Sequence, residues 1–255
     1  MTDSVSTDTF YFIVYSWIAV ALVIFPLVLW VVAPYGRHTS KNWGPMINNK
    51  LGWVLMESPA LFLFAYFFLS GKNPSLVPWI LFSFWIVHYT NRTLIFPFRL
   101  RTKGKKMPLT IVLMAFCFNL MNAFINGYYL GHLADQYAIS WLWDPRFISG
   151  AILFIIGILS NWRSDNILIH LRRPGETGYV IPRGGLFNYI SCPNHFSEIV
   201  EWSGFALMTW CLPGLAFAIW TLVNLLPRAL HHHRWYKQSF PDYPASRKAL
   251  IPFIL

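Results

Sequence analysis

Residues 10–32 read FYFIVYSWIAVALVIFPLVLWVV, 23 residues without a charge. Coiled into an α-helix, this run is about 34 Å long, enough to cross the ~30 Å hydrocarbon core of a bilayer. It is too long for the core of a signal peptide, and no small-residue cleavage site follows it. It therefore reads as a membrane span, and apolar runs recur along the rest of the chain. They cover 51–69, 76–98, 108–130 and 147–171. A longer stretch, 196–226, is broken at Cys211-Leu212-Pro213-Gly214, where proline and glycine together mark a tight turn. It divides into helices over 196–210 and 213–236. The expected fold is an all-α integral membrane protein, a seven-transmembrane-helix bundle forming a single membrane domain over 1–255.

Composition agrees. Of 255 residues, 56% are hydrophobic, 18% aromatic and only 12% charged, against ~25% charged in soluble proteins. Mean hydropathy is +0.45. So few charges do not supply the polar shell that a soluble globule of this size requires, and the abundance of aromatics suits interfacial belts. Disordered, collagenous, coiled-coil and disulfide-scaffold classes are excluded on the same counts. Cys117, Cys192 and Cys211 show no metal or redox spacing and read as packed thiols. The net charge of +10 lies between apolar runs rather than along one soluble face, so no nucleic-acid partner is expected. Sixteen of the twenty Lys and Arg residues fall in 35–50, 99–107, 172–195 and the tail from 227. That bias places the N-terminus outside, in the periplasm or lumen, and the C-terminus in the cytosol.

Charged groups at membrane depth are costly and mark function by default. Four of the ten acids lie there: Glu57, Asp165, Glu198 and Glu201. Polar residues also share helix faces. Asn119, Asn122 and Asn126 form one stripe, Asn161 and Asp165 a second, and Glu198 and Glu201 a third. Asn224, Arg228, His232 and Tyr236 form a fourth. Such faces are expected to converge on a polar chamber open to the cytosol. There Arg92, Arg172 and Arg228 would meet the anionic groups of a nucleotide cofactor. Glu57 stands apart, mid-span among apolar neighbours, with Tyr89 at comparable depth on the next helix. Together they can polarise a carbonyl in an apolar pocket. Metal ligation is not expected: the consecutive histidines 231–233 point about 100° apart on a helix, and no HExxH occurs. Gly184-Gly185 is neither a Rossmann nor a Walker loop.

The stretch from Tyr179 to Trp202, YVIPRGGLFNYISCPNHFSEIVEW, resembles the signature of the steroid 5α-reductases. So does the tail from Arg228, RALHHHRWYKQSFPDYPASRKALIPFIL. His88-Tyr89 with Arg92-Thr93 resembles the HYxxRT segment of that family, and Glu57 before Ser58-Pro59 resembles its second-helix glutamate. The resemblance runs from about residue 50 to the end. It implies a seven-helix membrane enzyme that uses NADPH to reduce the Δ4 double bond of 3-oxo-Δ4-steroids, with hydride going to C5 and a proton to C4. By the same resemblance Glu57 and Tyr89 bind the 3-keto oxygen. The implied cofactor residues are Arg92, Asn161, Asp165, Arg172, Tyr179, Asn194, Glu198, Glu201, Arg228, His232 and Tyr236. Lys105 in the basic loop 99–108 is a further candidate, for the 2′-phosphate or pyrophosphate. Phe96 departs from the pattern, standing where some relatives carry tyrosine. Helices one to four are expected to line mainly the steroid pocket, and helices five to seven with the cytosolic loops the NADPH pocket. The implied partners are a steroid and the lipid bilayer, the protein is expected to be a monomer, and the membrane is a bacterial inner membrane or the endoplasmic reticulum. Besides a non-enzymatic transporter or receptor, two enzymatic rivals stay open at this point. One is a related membrane reductase of another enone or enoyl lipid. The other is an S-adenosylmethionine enzyme similar to the isoprenylcysteine carboxyl methyltransferases.

Overall fold

A computed structural model describes residues 5–72, 75–101, 104–134, 137–171 and 178–255. Long helical segments form where the apolar runs predict them. They are α1 (Thr7–Trp30), α2 (Asn49–Leu69), α3 (76–99), α4 (Leu109–Leu133), α5 (Pro145–His170), α6 (Pro193–Thr209) and α7 (Leu212–Ser239). Among the described residues, α1, α2, α4, α5 and α7 are long and apolar enough to cross a membrane. The 17-residue α6 is shorter, and the second half of α3 carries His88, Tyr89, Asn91 and Arg92. On α1, Phe12, Val23 and Trp30 are each more than two-thirds exposed. An apolar surface of that kind calls for lipid rather than water. The chain is a multi-pass membrane protein.

Three helices widen into a π turn: α2 at Pro59–Leu63, α3 at Asn91–Ile95 and α4 at Tyr129–Leu133. Such turns are rare and concentrate at functional sites. Short strands tie two helix starts together. β1 (Met46–Asn48) pairs antiparallel with β2 (Lys106–Pro108), Ile47 opposite Met107. Asn48 then caps α2, its Oδ1 accepting from Lys50 N at 2.9 Å and Leu51 N at 3.3 Å. Ahead of α5, Asp144 accepts from Arg146 N at 2.9 Å and pairs with its guanidinium at 2.8 Å. That side-chain hydrogen bond, first among the causes, holds the Asp144 carboxyl down at about 2.

Contacts divide the chain into two compact units. The first comprises the described residues of Met1–Val14 and Ala33–Ile148. In it Phe10 stacks on Tyr128, ring centroids 5.7 Å apart, and Phe64 stacks on Trp85 at 4.4 Å. The second comprises Tyr15–Val32 and the described residues of Ser149–Leu255. There the Trp17 and Trp220 rings meet at 4.6 Å, and Trp220 Nε1 donates to Trp17 O at 3.0 Å.

Glycines let α5 and α6 touch backbone to backbone, as in many membrane helix pairs. A Cβ on Gly150 would stand 2.6 Å from Gly204 O, and one on Gly157 would stand 2.6 Å from Glu201 Cα. Neither obstacle is a flexible side-chain end that could move aside. Gly157→Ala is therefore expected to cost about 1–3 kcal/mol through overpacking. A lowered thermal midpoint in detergent would show this; an unchanged midpoint would mean that the helices separate freely.

Candidate functional site

In the first unit, the site is built around a break in α2. Pro59 has no N–H, so Leu55 O loses its regular helical donor; Ser58 Oγ donates to it instead at 2.9 Å. The next two carbonyls take donors from other helices. Asn119 Nδ2 on α4 donates to Met56 O at 2.7 Å, and Thr93 Oγ1 on α3 donates to Glu57 O at 3.3 Å. Beyond the break, Trp85 Nε1 donates to Ala60 O at 2.8 Å. Side chains from two neighbouring helices thus hold α2 open around Glu57.

The same bonds locate Tyr89. Trp85 and Thr93 lie four residues to either side of it, and both reach α2. Tyr89 is therefore bracketed on the α2-facing side of α3, buried against the Trp85 ring with centroids 5.1 Å apart. The Glu57 carboxyl is half-buried, and its Oε2 accepts from Asn119 Nδ2 at 3.3 Å. The asparagine stripe was legible in the sequence, but the partner of Asn119 was not. Thr93 and Trp85 carried no signal beyond their neighbourhood. Arg92 is buried with its guanidinium 5.0 Å from the Phe96 ring centroid. Phe96, noted above as a departure, so gives the arginine a π face. Lys105 is exposed just before β2 and presents its carbonyl to Asn49 N at 3.1 Å.

In the second unit the predicted residues gather near the end of α5, the start of α6 and the last turns of α7. Asn161 and Asp165 are buried, and Asn161 Nδ2 donates to Asn194 O at 2.9 Å. Glu201 is fully buried beside Gly157, and Glu198 is half-buried one turn earlier. The His195 and His232 rings lie 5.7 Å apart. Tyr236 is buried and stacks on Tyr243 at 5.2 Å, while Tyr179 meets Trp235 edge-on at 5.1 Å. Arg228 is half-buried. Asn224 is exposed, so the buried polar face expected on α7 narrows to 228–236. Arg172 lies outside the described residues.

A junction that sequence reasoning did not single out joins these segments. Ser191 Oγ lies 2.6 Å from His233 Nδ1, 2.6 Å from Tyr243 Oη and 3.1 Å from Lys248 O. A carbonyl can only accept, so with the serine proton on Lys248 O, the tyrosine and the histidine Nδ1–H both donate to Oγ. Backbone bonds extend the seam: Ser191 N donates to Lys248 O at 2.8 Å, and Lys248 N to Tyr189 O at 2.9 Å. Arg247 Nη1 donates to Pro182 O at 3.1 Å. The C-terminal segment is thereby stapled to the loop that leads into α6 and to the last turns of α7. Ser191 and Tyr243 both sit inside stretches quoted above, but nothing in their spacing announces the junction.

Residues 105–255 match the family model described as 3-oxo-5-alpha-steroid 4-dehydrogenase. The chain belongs to this family. It is 44% identical over 252 residues to steroid 5-alpha-reductase DET2 of Solanum lycopersicum, covering 97% of each chain. It is also 44% identical over 242 residues to 3-oxo-5-alpha-steroid 4-dehydrogenase 1 of Bos taurus, 93% of each. With the Homo sapiens relative of that name it shares 45% over 223 residues, 86% of this chain and 85% of the relative. As a member of the 3-oxo-5-alpha-steroid 4-dehydrogenase family, the protein is an oxidoreductase.

For this steroid-dehydrogenase family member, Ser191→Ala is expected to loosen the C-terminal staple, because it removes the atom on which three bonds converge. About 1–3 kcal/mol of local stability would go with it. Limited trypsin digestion read by mass spectrometry should show cleavage after Lys248 at least about tenfold faster than in the parent. Equal cleavage rates would mean that the backbone bonds suffice.

Proposed function

We propose that the protein reduces the C4–C5 double bond of 3-oxo-Δ4-steroids with NADPH, yielding 5α-3-oxosteroids. Family membership supports the substrate class. The observation that carries the reading is the bracketing of Tyr89 against the broken helix that presents Glu57.

The residues of the second unit fit a dinucleotide by their chemistry. Arg228 suits phosphates, and Arg172 would add a second cation. Asp165, Glu198 and Glu201 suit ribose hydroxyls. Asn161 Nδ2 is engaged by Asn194 O, which leaves its Oδ1 to accept from a carboxamide or a hydroxyl. Asn194, Tyr179, His232 and Tyr236 complete the set. When bound, NADPH supplies the hydride that C5 receives.

The protein's own contribution lies at the other end of the enone. Attack at C5 drives electrons onto the 3-keto oxygen, and donors aimed at that oxygen stabilise the developing enolate. Tyr89 gives its hydroxyl proton to this hydrogen bond. Glu57, held at Oε2 by Asn119, serves as the second donor when its carboxyl is protonated. The enolate then takes a proton at C4, completing the addition of two hydrogens.

The proposed setting is a seven-span monomer in a bacterial inner membrane or the endoplasmic reticulum, N-terminus outside and C-terminus cytosolic. In this reading the polar α3 and the short α6 cross together with the five apolar helices.

The deciding assay is NADPH oxidation by detergent-purified protein with testosterone or progesterone. Mass spectrometry should find a product two hydrogens heavier with 5α stereochemistry. NADPH binding without reduction of either steroid would redirect the search to another enone or enoyl lipid. Binding of S-adenosylmethionine in place of NADPH would overturn the cofactor. Glu57→Gln and Tyr89→Phe are each expected to lower kcat about 100-fold or more while NADPH affinity stays within about threefold. Arg228→Ala should weaken NADPH by about tenfold or more and leave the steroid KM in place; an unchanged cofactor Kd would remove Arg228 from the site.

A further inference from the structure

Arg163 stands on α5 at the end of an apolar strip. Ile152, Ile156 and Leu159 are exposed, and helical geometry puts each within about 40° of Arg163 around the axis. From Arg163 onward the exposed residues of α5 are polar, continuing with Asn166 and His170. Arg163 also lies about 27 Å along the axis from Pro145, close to the ~30 Å of hydrocarbon that a spanning helix crosses. The side chain therefore stands where lipid tails give way to headgroups. Asn161 and Asp165, the cofactor candidates, are buried and lie about 160° away around the helix.

Beside Arg163 is a cavity of about 190 Å³, lined by Ser160, Arg163, Ser164, Ile167, Gly185 and Leu186. One wall is α5 and the other is the loop that leads to α6. That loop turns through two glycines of positive φ, Gly184 at +92° and Gly185 at +54°. Arg163 leans across to the second: a Cβ on Gly185 would stand 3.6 Å from Arg163 Nε. An arginine that only sought water would extend away from the protein. Among the described residues, no carboxylate lines the cavity and Arg163 has neither an ion pair nor a hydrogen bond. Ser164 Oγ is engaged, donating to Ser160 O at 2.7 Å. Ser160 is half-buried, and its own hydroxyl has no partner among the described residues. Arg183, exposed two residues before Gly185, adds a second positive charge to the loop.

We propose that this cavity holds the phosphate of an anionic phospholipid whose acyl chains lie along the strip of Ile152, Ile156 and Leu159. A guanidinium presents a planar fork of N–H donors that fits two phosphate oxygens, and the Ser160 hydroxyl supplies a further donor. The strip ends at the guanidinium, so a ligand uses both only if it carries an anion and a hydrocarbon tail together. A free phosphate would use the arginine and leave the strip aside. Two cations with no described acid at the cavity favour a headgroup of net negative charge over a zwitterionic one. The site lies apart from the residues of the steroid reading and does not depend on it.

The test is native mass spectrometry of the detergent-purified protein titrated with palmitoyl-oleoyl phosphatidylglycerol. One molecule per chain is expected to bind saturably, with palmitoyl-oleoyl phosphatidylcholine about threefold or more weaker. Arg163→Gln should weaken phosphatidylglycerol about tenfold or more. Leu159→Gln leaves every charge in place and should weaken it about threefold or more. NADPH affinity should stay within about threefold of the parent in both variants. Equal phosphatidylglycerol binding by the parent and Arg163→Gln overturns the proposal. Displacement of the lipid by an equal concentration of inorganic phosphate overturns it too, making the cavity a site for a soluble anion. A tenfold loss of NADPH affinity in Arg163→Gln would give the cavity to the cofactor and overturn it likewise.

Discussion

A backbone carbonyl freed inside an apolar slab has no water to turn to, so the protein must supply its donor. Pro59 creates that demand in the middle of α2. Ser58 meets it at Leu55, Asn119 and Thr93 add bonds at Met56 and Glu57, and Trp85 adds one at Ala60. These bonds do more than repair a helix. They come from three different helices of the first unit and set the register of α3 and α4 against α2. Glu57 and Tyr89 inherit their positions from that register. The acid and the phenol are placed by the repair of a proline break, not by a contact of their own that sequence could announce.

The second unit solves a different problem. Its polar residues sit where helix ends emerge, and loops must be held against them. Close glycine contacts bring Glu201 against α5. The Ser191 hydroxyl then gathers a histidine of α7, a tyrosine of the tail and a tail carbonyl around one oxygen. Tyr243 bonds this serine and stacks on Tyr236, so one ring joins the loop before α6 to a candidate cofactor residue on α7. The C-terminal segment is thereby part of the framework of the site.

Helix positions were highly legible in the sequence. Apolar runs predicted 51–69 and 213–236, and the helices are Asn49–Leu69 and Leu212–Ser239. Runs of apolar residues form helices in lipid because no other open structure satisfies the backbone there. Polar faces were legible in the same way, since i, i+3 and i+4 spacing fixes which residues share a side. Asn161 and Asp165 are buried together as that spacing requires. Asn224 shows the limit: it keeps the same spacing as Arg228 and His232 but is exposed, because periodicity says which residues share a face and not which of them a neighbour covers.

What the sequence determined by itself was the class of molecule: apolar helices, basic residues concentrated in particular loops, and a few polar residues within the apolar runs. Partners were decided only by the tertiary structure. Thr93 meets a carbonyl thirty-six residues away, Asn119 a carboxyl sixty-two away and Ser191 a tyrosine fifty-two away. No local propensity encodes such pairs. Each arises because a buried polar atom left by one helix has to be matched by whichever side chain packing brings within reach.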